Sequence, residues 1–182
     1  PEEQRVEAHP QLAGPVFTGL QYVEEAGINA ELFLNLLARA IDRERVSEAH
    51  PAFAQLITHL SPDEALILFY LKKKSYAFHQ HAIYRRESNM FDPRTTTYNE
   101  FPVHELVFPE NFSLYMDHLH SLNLAGIWQD GNQEPIMGGT PSRQTGINIK
   151  NSISLASFAK MFARACVPDH LEAQWVQGTR GA

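Results

Sequence analysis

The sequence predicts a mainly α fold with a small antiparallel sheet, an α+β arrangement in which N-terminal helices lead into a helix, hairpin and closing helix. Three observations predict it. Apolar residues recur at helical spacing through most of the chain. Ser61-Pro62-Asp63-Glu64 spells out a helix start. Two short apolar runs, Leu124–Trp128 and Ile147–Ile153, flank a stretch rich in glycine and proline.

Composition sets the bounds. The chain has 182 residues, 43% hydrophobic and 20% charged, with a formal charge of −6. Domains cluster near about 150 residues, so one domain or one plus a small appendage is expected. Disorder and collagen are excluded by this composition, and a disulfide scaffold by Cys166 being the sole cysteine. An acidic chain also argues against a general nucleic-acid coat. The longest strongly apolar run, Ala65 to Leu71, falls far short of the ~20 residues of a membrane span. No secretory signal is read at the start, so a reduced, cytoplasmic setting is expected.

Residues 1–10 read as a loose arm. Leu12 to Ala26 carries a weak helical pattern, with Gly27 placed as a C-cap. Phe33, Leu36, Leu37, Ala40 and Ile41 then form one apolar stripe, with Asn29 as its expected N-cap. Pro51 starts a third helix with Phe53, Leu56, Ile57 and Leu60 on one face. The helix opened at Ser61 has a capping box, proline at its first position and Lys72, Lys73 and Lys74 at its negative end. Its middle is apolar almost all round, which places it centrally in the core.

After Ser75 the texture becomes strand-like through Tyr84, and Phe91 to Phe101 reads as a loop because of Pro93 and three threonines. Val103 to Phe108 reads as a strand, and Pro109 starts a helix with Leu114, Tyr115, His118, Leu119 and Leu122 inward. Asn123 suits the left-handed position after that helix. Asp130 to Gly146 reads as a turn-rich insertion between the two strands. Leu155, Phe158, Ala159, Phe162 and Cys166 face inward on a last helix ended by Pro168, and 169–182 read as a frayed tail. The expected units are a helical region over 1–60, a winged-helix-like domain over 61–168 and a tail over 169–182, which together could form one compact unit.

Candidate chemistry is sparse. His79 and His81 would share one face of a strand, whereas His118 and His120 on a helix point apart, and a structural zinc site would also want cysteines. Neither pair is read as a metal site. Cys166 sits at a core-facing helical position, where cysteine acts as a small hydrophobe. Gly138-Gly139-Thr140-Pro141-Ser142 lacks the lysine and spacing of a phosphate loop and reads as a wing tip. No catalytic, cofactor or metal residue is therefore assigned, and no enzyme is expected.

The winged-helix order invites duplex binding, but Phe101 to Glu134 holds five acids and no lysine or arginine. A groove-reading helix needs the opposite charge, so nucleic acid is disfavoured by the acidic helix 109–122. The basic stretch 72–94 carries Lys72, Lys73, Lys74, Arg85, Arg86 and Arg94 against Glu87 and Asp92. Those six residues are the candidate patch for an anionic partner.

Ala30 to Val167 resembles the Abi-alpha family, a bacterial domain named for abortive phage infection. The resemblance rests on Leu36-Leu37-Ala38-Arg39-Ala40, on His50-Pro51-Ala52-Phe53 and on Leu60-Ser61-Pro62-Asp63-Glu64-Ala65. It continues through Tyr115 to Leu124 and closes on Leu155, Phe158, Phe162 and Ala163-Arg164-Ala165-Cys166. Ala156 and Ala159 stand where similar domains carry a capping threonine and a glycine. The resemblance implies an antiviral defence role and brings no established active site. The expectation is a non-enzymatic interaction or sensor module with a protein partner or self-association, and no membrane. A winged-helix DNA-binding regulator is the alternative.

Overall fold

The computed structural model describes residues 4–176, and the expected tail beyond them lies outside the described residues. Among the described residues there are six α-helices and six strands: α1 (Pro10–Leu20), α2 (Ile28–Ala40), α3 (Ala52–His59), α4 (Pro62–Lys73), β1 (Tyr76–Arg85), β2 (Met90–Phe91), β3 (Thr95–Asn99), α5 (Phe112–Ser121), β4 (Ala125–Gln129), β5 (Glu134–Gly138), β6 (Arg143–Leu155) and α6 (Ser157–Ala165).

α4 is the centre. Eight of its residues, Asp63 to Phe69 and Leu71, are buried, and one continuous core cluster runs from Leu12 to Trp175 around it. The expected capping box is present: Ser61 N–H donates to Glu64 Oε2 at 2.8 Å, and Glu64 N–H donates to Ser61 Oγ at 3.3 Å. α3 starts one residue after Pro51, as the proline predicts.

The first two helices correct the expected boundaries. α1 ends at Leu20, and Gly27 has φ −80° and ψ 155°, the extended geometry of an N-cap, so it opens α2. Asn29 is not a cap. It is buried in the first turn of α2, where its Nδ2 donates 2.6 Å to the carbonyl of Leu60 at the end of α3. A helix end buried without water needs such a partner. Residues 4–9 are tied rather than loose, since Val6 N–H donates to Ile41 O and Arg43 N–H to Gln4 O, both at 2.9 Å.

The sheet is larger than the small one expected. β1 and β6 are its long central strands, antiparallel from Tyr76↔Ile153 to Ile83↔Gly146. β3 and β2 share the other edge of β1, and β4 and β5 share the other edge of β6. Three strands therefore lie between α5 and α6, where a two-stranded hairpin was expected. The segments misread as loop explain why. Thr95 to Tyr98 of β3 are exposed and polar, and β5 with the start of β6 is almost wholly exposed. Without a core behind them, these strands carry no alternation of apolar and polar residues.

Two other readings change. Val103–Glu105 is a single 3₁₀ turn, and the backbone of Val107 and Phe108 bonds to a side chain instead of a sheet. Leu114 is 64% exposed, because the buried stripe of α5 is Phe112, Tyr115, Met116 and Leu119. Asn123 does adopt the left-handed conformation, φ 56°, just past α5. Ala156 caps α6 without a side-chain bond, in keeping with its departure from a capping threonine. The described part of the tail is anchored: Trp175 is buried, and its indole N–H donates 3.0 Å to Ala26 O.

Two substitutions test this packing. Ser61→Ala removes the acceptor for Glu64 N–H and should lower stability by ~1 kcal/mol. A Cβ at Gly19 would meet the ring of Phe33, so Gly19→Val should cost about 1–3 kcal/mol through overpacking between α1 and α2. Denaturant titrations of each variant against the parent check both; a parental midpoint for either refutes the corresponding contact.

Candidate functional site

The negative ends of three helices meet on one side of the core. Each carries a cation in its last turn: Arg39 in α2, Lys72 in α4 and Arg164 in α6. Positive charge there complements the helix dipole, and the contacts show the same need being met across elements. An Arg39 Nη donates 3.1 Å to the carbonyl of Arg164, Lys72 Nζ donates 2.6 Å to Val167 O, and Asn35 Nδ2 donates 3.1 Å to Cys166 O.

Between these ends lies a cavity of about 290 Å³ lined by Arg39, Arg45, Lys72, Lys160, Arg164 and Asp169, with Leu155 and Ala163 as its apolar wall. Arg39 and Lys72 are mostly buried, with side chains 14% and 19% exposed, while Arg45 and Arg164 are 46% and 74% exposed. Two carboxylates face these five cations. Glu48 sits 2.8 Å from Arg164, 3.6 Å from Arg39 and 3.7 Å from Arg45, and Asp169 sits 2.8 Å from Lys72. Lys160 has no side-chain partner among the described residues. Arg39 Nε and Glu48 Oε2 are buried without a hydrogen bond and face each other at 3.6 Å, a loose pair that a closer anion could replace on the Arg39 side. Chemically, the arrangement can hold an anion.

Of the candidate patch residues, only Lys72 lines this cavity. Lys73 lies beside it, donating to Asp169 O. Lys74 pairs with Glu100 at 2.6 Å and lies 4.6 Å from the Tyr76 ring centroid. A backbone bond from Ala77, and then the Lys74 ammonium, hold the Glu100 carboxyl below its usual range. Arg85 makes a two-pronged pair with Asp92 at 2.8–2.9 Å, at the far end of β1. Arg86 and Arg94 are exposed near it, and ten strand residues correspond to about 30 Å. The six cations are thus divided between the two ends of β1. Arg39, Arg45, Lys160 and Arg164 were missed because they are scattered in sequence; their position in the last turns of two helices and beside them was the one available signal.

Three of the four candidate histidines have separate partners. His79 packs on Tyr98 with ring centroids 5.3 Å apart, His120 packs on Trp128 at 5.3 Å, and His118 Nδ1 lies 2.6 Å from Glu64 Oε1. Among the described residues no group of three or more His, Cys, Asp or Glu is placed to hold a metal. Residues 138–142 form the tip of the β5–β6 hairpin. Cys166 is fully buried, and desolvation pushes its thiol well above the ordinary range. No helix among the described residues is long and apolar enough to cross a membrane.

The abortive infection alpha family model matches residues 1–166. No curated protein and no solved structure matches the chain significantly.

The Cys166 thiol gives a pH prediction. Its folded pKa lies above the unfolded one, so between them the unfolded chain binds fewer protons and stability falls as pH rises. Above about pH 9 this slope should reach about 1.4 kcal/mol per pH unit. In Cys166→Ala that contribution should vanish from denaturant midpoints measured over the same range; equal slopes would refute it.

Proposed function

This chain belongs to the abortive infection alpha family, and from that premise we propose that it is a non-enzymatic interaction or sensor module of an antiphage response, acting in the cytoplasm through a protein partner or a second copy. The family match carries the reading, because residues 1–166 include every helix and strand described above. A surface of suitable character supports it. Ile83, Met90, Phe91, Tyr98 and Met137 are each 43–64% exposed, on β1, β2, β3 and β5. There the sheet extends beyond the helical core and has only Ala82, Ile147 and Ile149 as a small cluster of its own. Met90 shares a face with Ile83 and Phe91 lies on the other, so both faces of this end of the sheet offer apolar side chains for protein contact.

The second reading is a duplex-DNA regulator with the β5–β6 hairpin as its wing. The order of α4, then β1 to β3, α5, β4 to β6 and α6 supports it in placing a hairpin between two helices. α5 opposes it, since Phe112–Ser121 carries Asp117 and no lysine or arginine to meet phosphates.

Phage challenge of bacteria expressing the intact chain tests the first reading. Expression should lower plaque counts, and Met90→Asp combined with Phe91→Asp should abolish that effect. These are exposed positions, so the variant should stay within about 0.5 kcal/mol of parental stability. Undiminished protection by the folded variant removes this surface from the reading. Tight duplex binding that falls steeply with salt would favour the regulator instead.

A further inference from the structure

We infer that the cavity between the ends of α2, α4 and α6 is a binding site for a compact phosphate-bearing small molecule, one presenting at least two phosphoryl charges. This inference does not depend on an antiphage role.

Charge comes first. Five cations face two carboxylates, a surplus of three. The three helix ends offset part of this, each with about half a negative charge, or about 1.5 in all. A positive excess remains after the fold's own needs are met. That excess, about 1.5, is more than one carboxylate supplies and is covered by a phosphoryl group carrying about two negative charges.

Geometry comes second. Three of the five cations are guanidinium groups, whose planar forks pair with two phosphate oxygens at once. Arg39 and Lys72 form a mostly buried base, held by the carbonyls of Arg164 and Val167. Arg45, Lys160 and Arg164 form an exposed rim of long side chains able to close over an occupant. Arg39 Nε makes no hydrogen bond, with Glu48 Oε2 3.6 Å away, and the exposed Lys160 ammonium has no protein acceptor among the described residues. Leu155 and Ala163 leave room for a short apolar portion.

Size excludes the larger alternative. A volume of about 290 Å³ lies at the lower end of the ~300–1,000 Å³ range of small-molecule sites. A nucleic-acid backbone would need a stripe of charge leading away from it. The exposed arginines nearest in the chain, Arg5 and Arg43, lie among Asp42 and Glu44, and Arg86 and Arg94 lie about 30 Å off at the other end of β1, so no unopposed stripe of charge leads away.

Inorganic diphosphate is the probe, titrated calorimetrically into the full chain at about 150 mM salt, where exposed charges are screened beyond about 8 Å. Saturable one-to-one binding is expected, tighter than for inorganic phosphate. Lys160→Ala combined with Arg164→Ala should weaken it about tenfold or more, since two charge-assisted contacts are lost. Arg86→Ala combined with Arg94→Ala should leave it unchanged. Thermal melts with and without diphosphate give a second readout, because a ligand of the folded state raises the midpoint. Absence of saturable binding to the folded parent overturns the site. So does equal weakening by the Arg86/Arg94 pair, which would mark a general charge effect. Tighter binding of a duplex oligonucleotide through Lys160 and Arg164 also overturns it, assigning the cavity to a polymer backbone.

Discussion

A helix that starts inside the protein with two carboxylates in its first turn imposes the constraint around which the other elements are arranged. Taking an ionised carboxylate out of water costs several kcal/mol unless its oxygens are satisfied. Asp63 and Glu64 are both 3% exposed. Asp63 accepts from the backbone N–H groups of Val107 and Phe108 at 2.8 and 3.0 Å and from the Tyr115 hydroxyl at 3.0 Å. Glu64 accepts from the N–H and hydroxyl of Ser61 and pairs with His118. These bonds fix the chain before α5, the rotation of α5 and the α3–α4 junction. The acids also stabilise the positive end of the α4 dipole.

At its other end α4 sets the opposite problem, and the chain solves it with opposite charge. Lys72 reaches past the end of α6, and Arg39 spans from α2 to the same place. Polarity along one central helix therefore organises both sides of the molecule. Carboxylates gather α5 and its approach at one end, and cations gather α2 and α6 at the other. The cavity is a by-product of that second gathering, where more cations collect than the carbonyls use.

Legibility in the sequence followed burial. Ser61, Pro62 and Glu64 announced α4 because caps act locally and leave a local signature. The stripes of α2, α3 and α6 were readable because each packs one face on the core. β3, β5 and the start of β6 were not, since strands largely open to solvent need no apolar alternation. Asp63 belongs to the readable helix start, but its hold on Val107 and Phe108 had no sequence signal, the partners being 44 and 45 residues away. The cavity failed for the same reason. Its cations come from three separate stretches of the chain, 39–45, Lys72 and 160–164, which nothing in the sequence brings together.

The Trp175 anchor also makes the molecule an optical instrument. The chain has two tryptophans, one 6% exposed and the other, Trp128, 38% exposed. An indole in apolar surroundings emits at shorter wavelength than one in water. Trp175 closes the described chain end onto Ala26, with Gln174 donating to the same carbonyl at 3.1 Å. Release of this closure would redden one emitter while Trp128, on the sheet, stays as it was. Fraying at the C-terminal closure and melting of the sheet would thus carry different colours, so the order in which they come apart could be followed in the unlabelled protein.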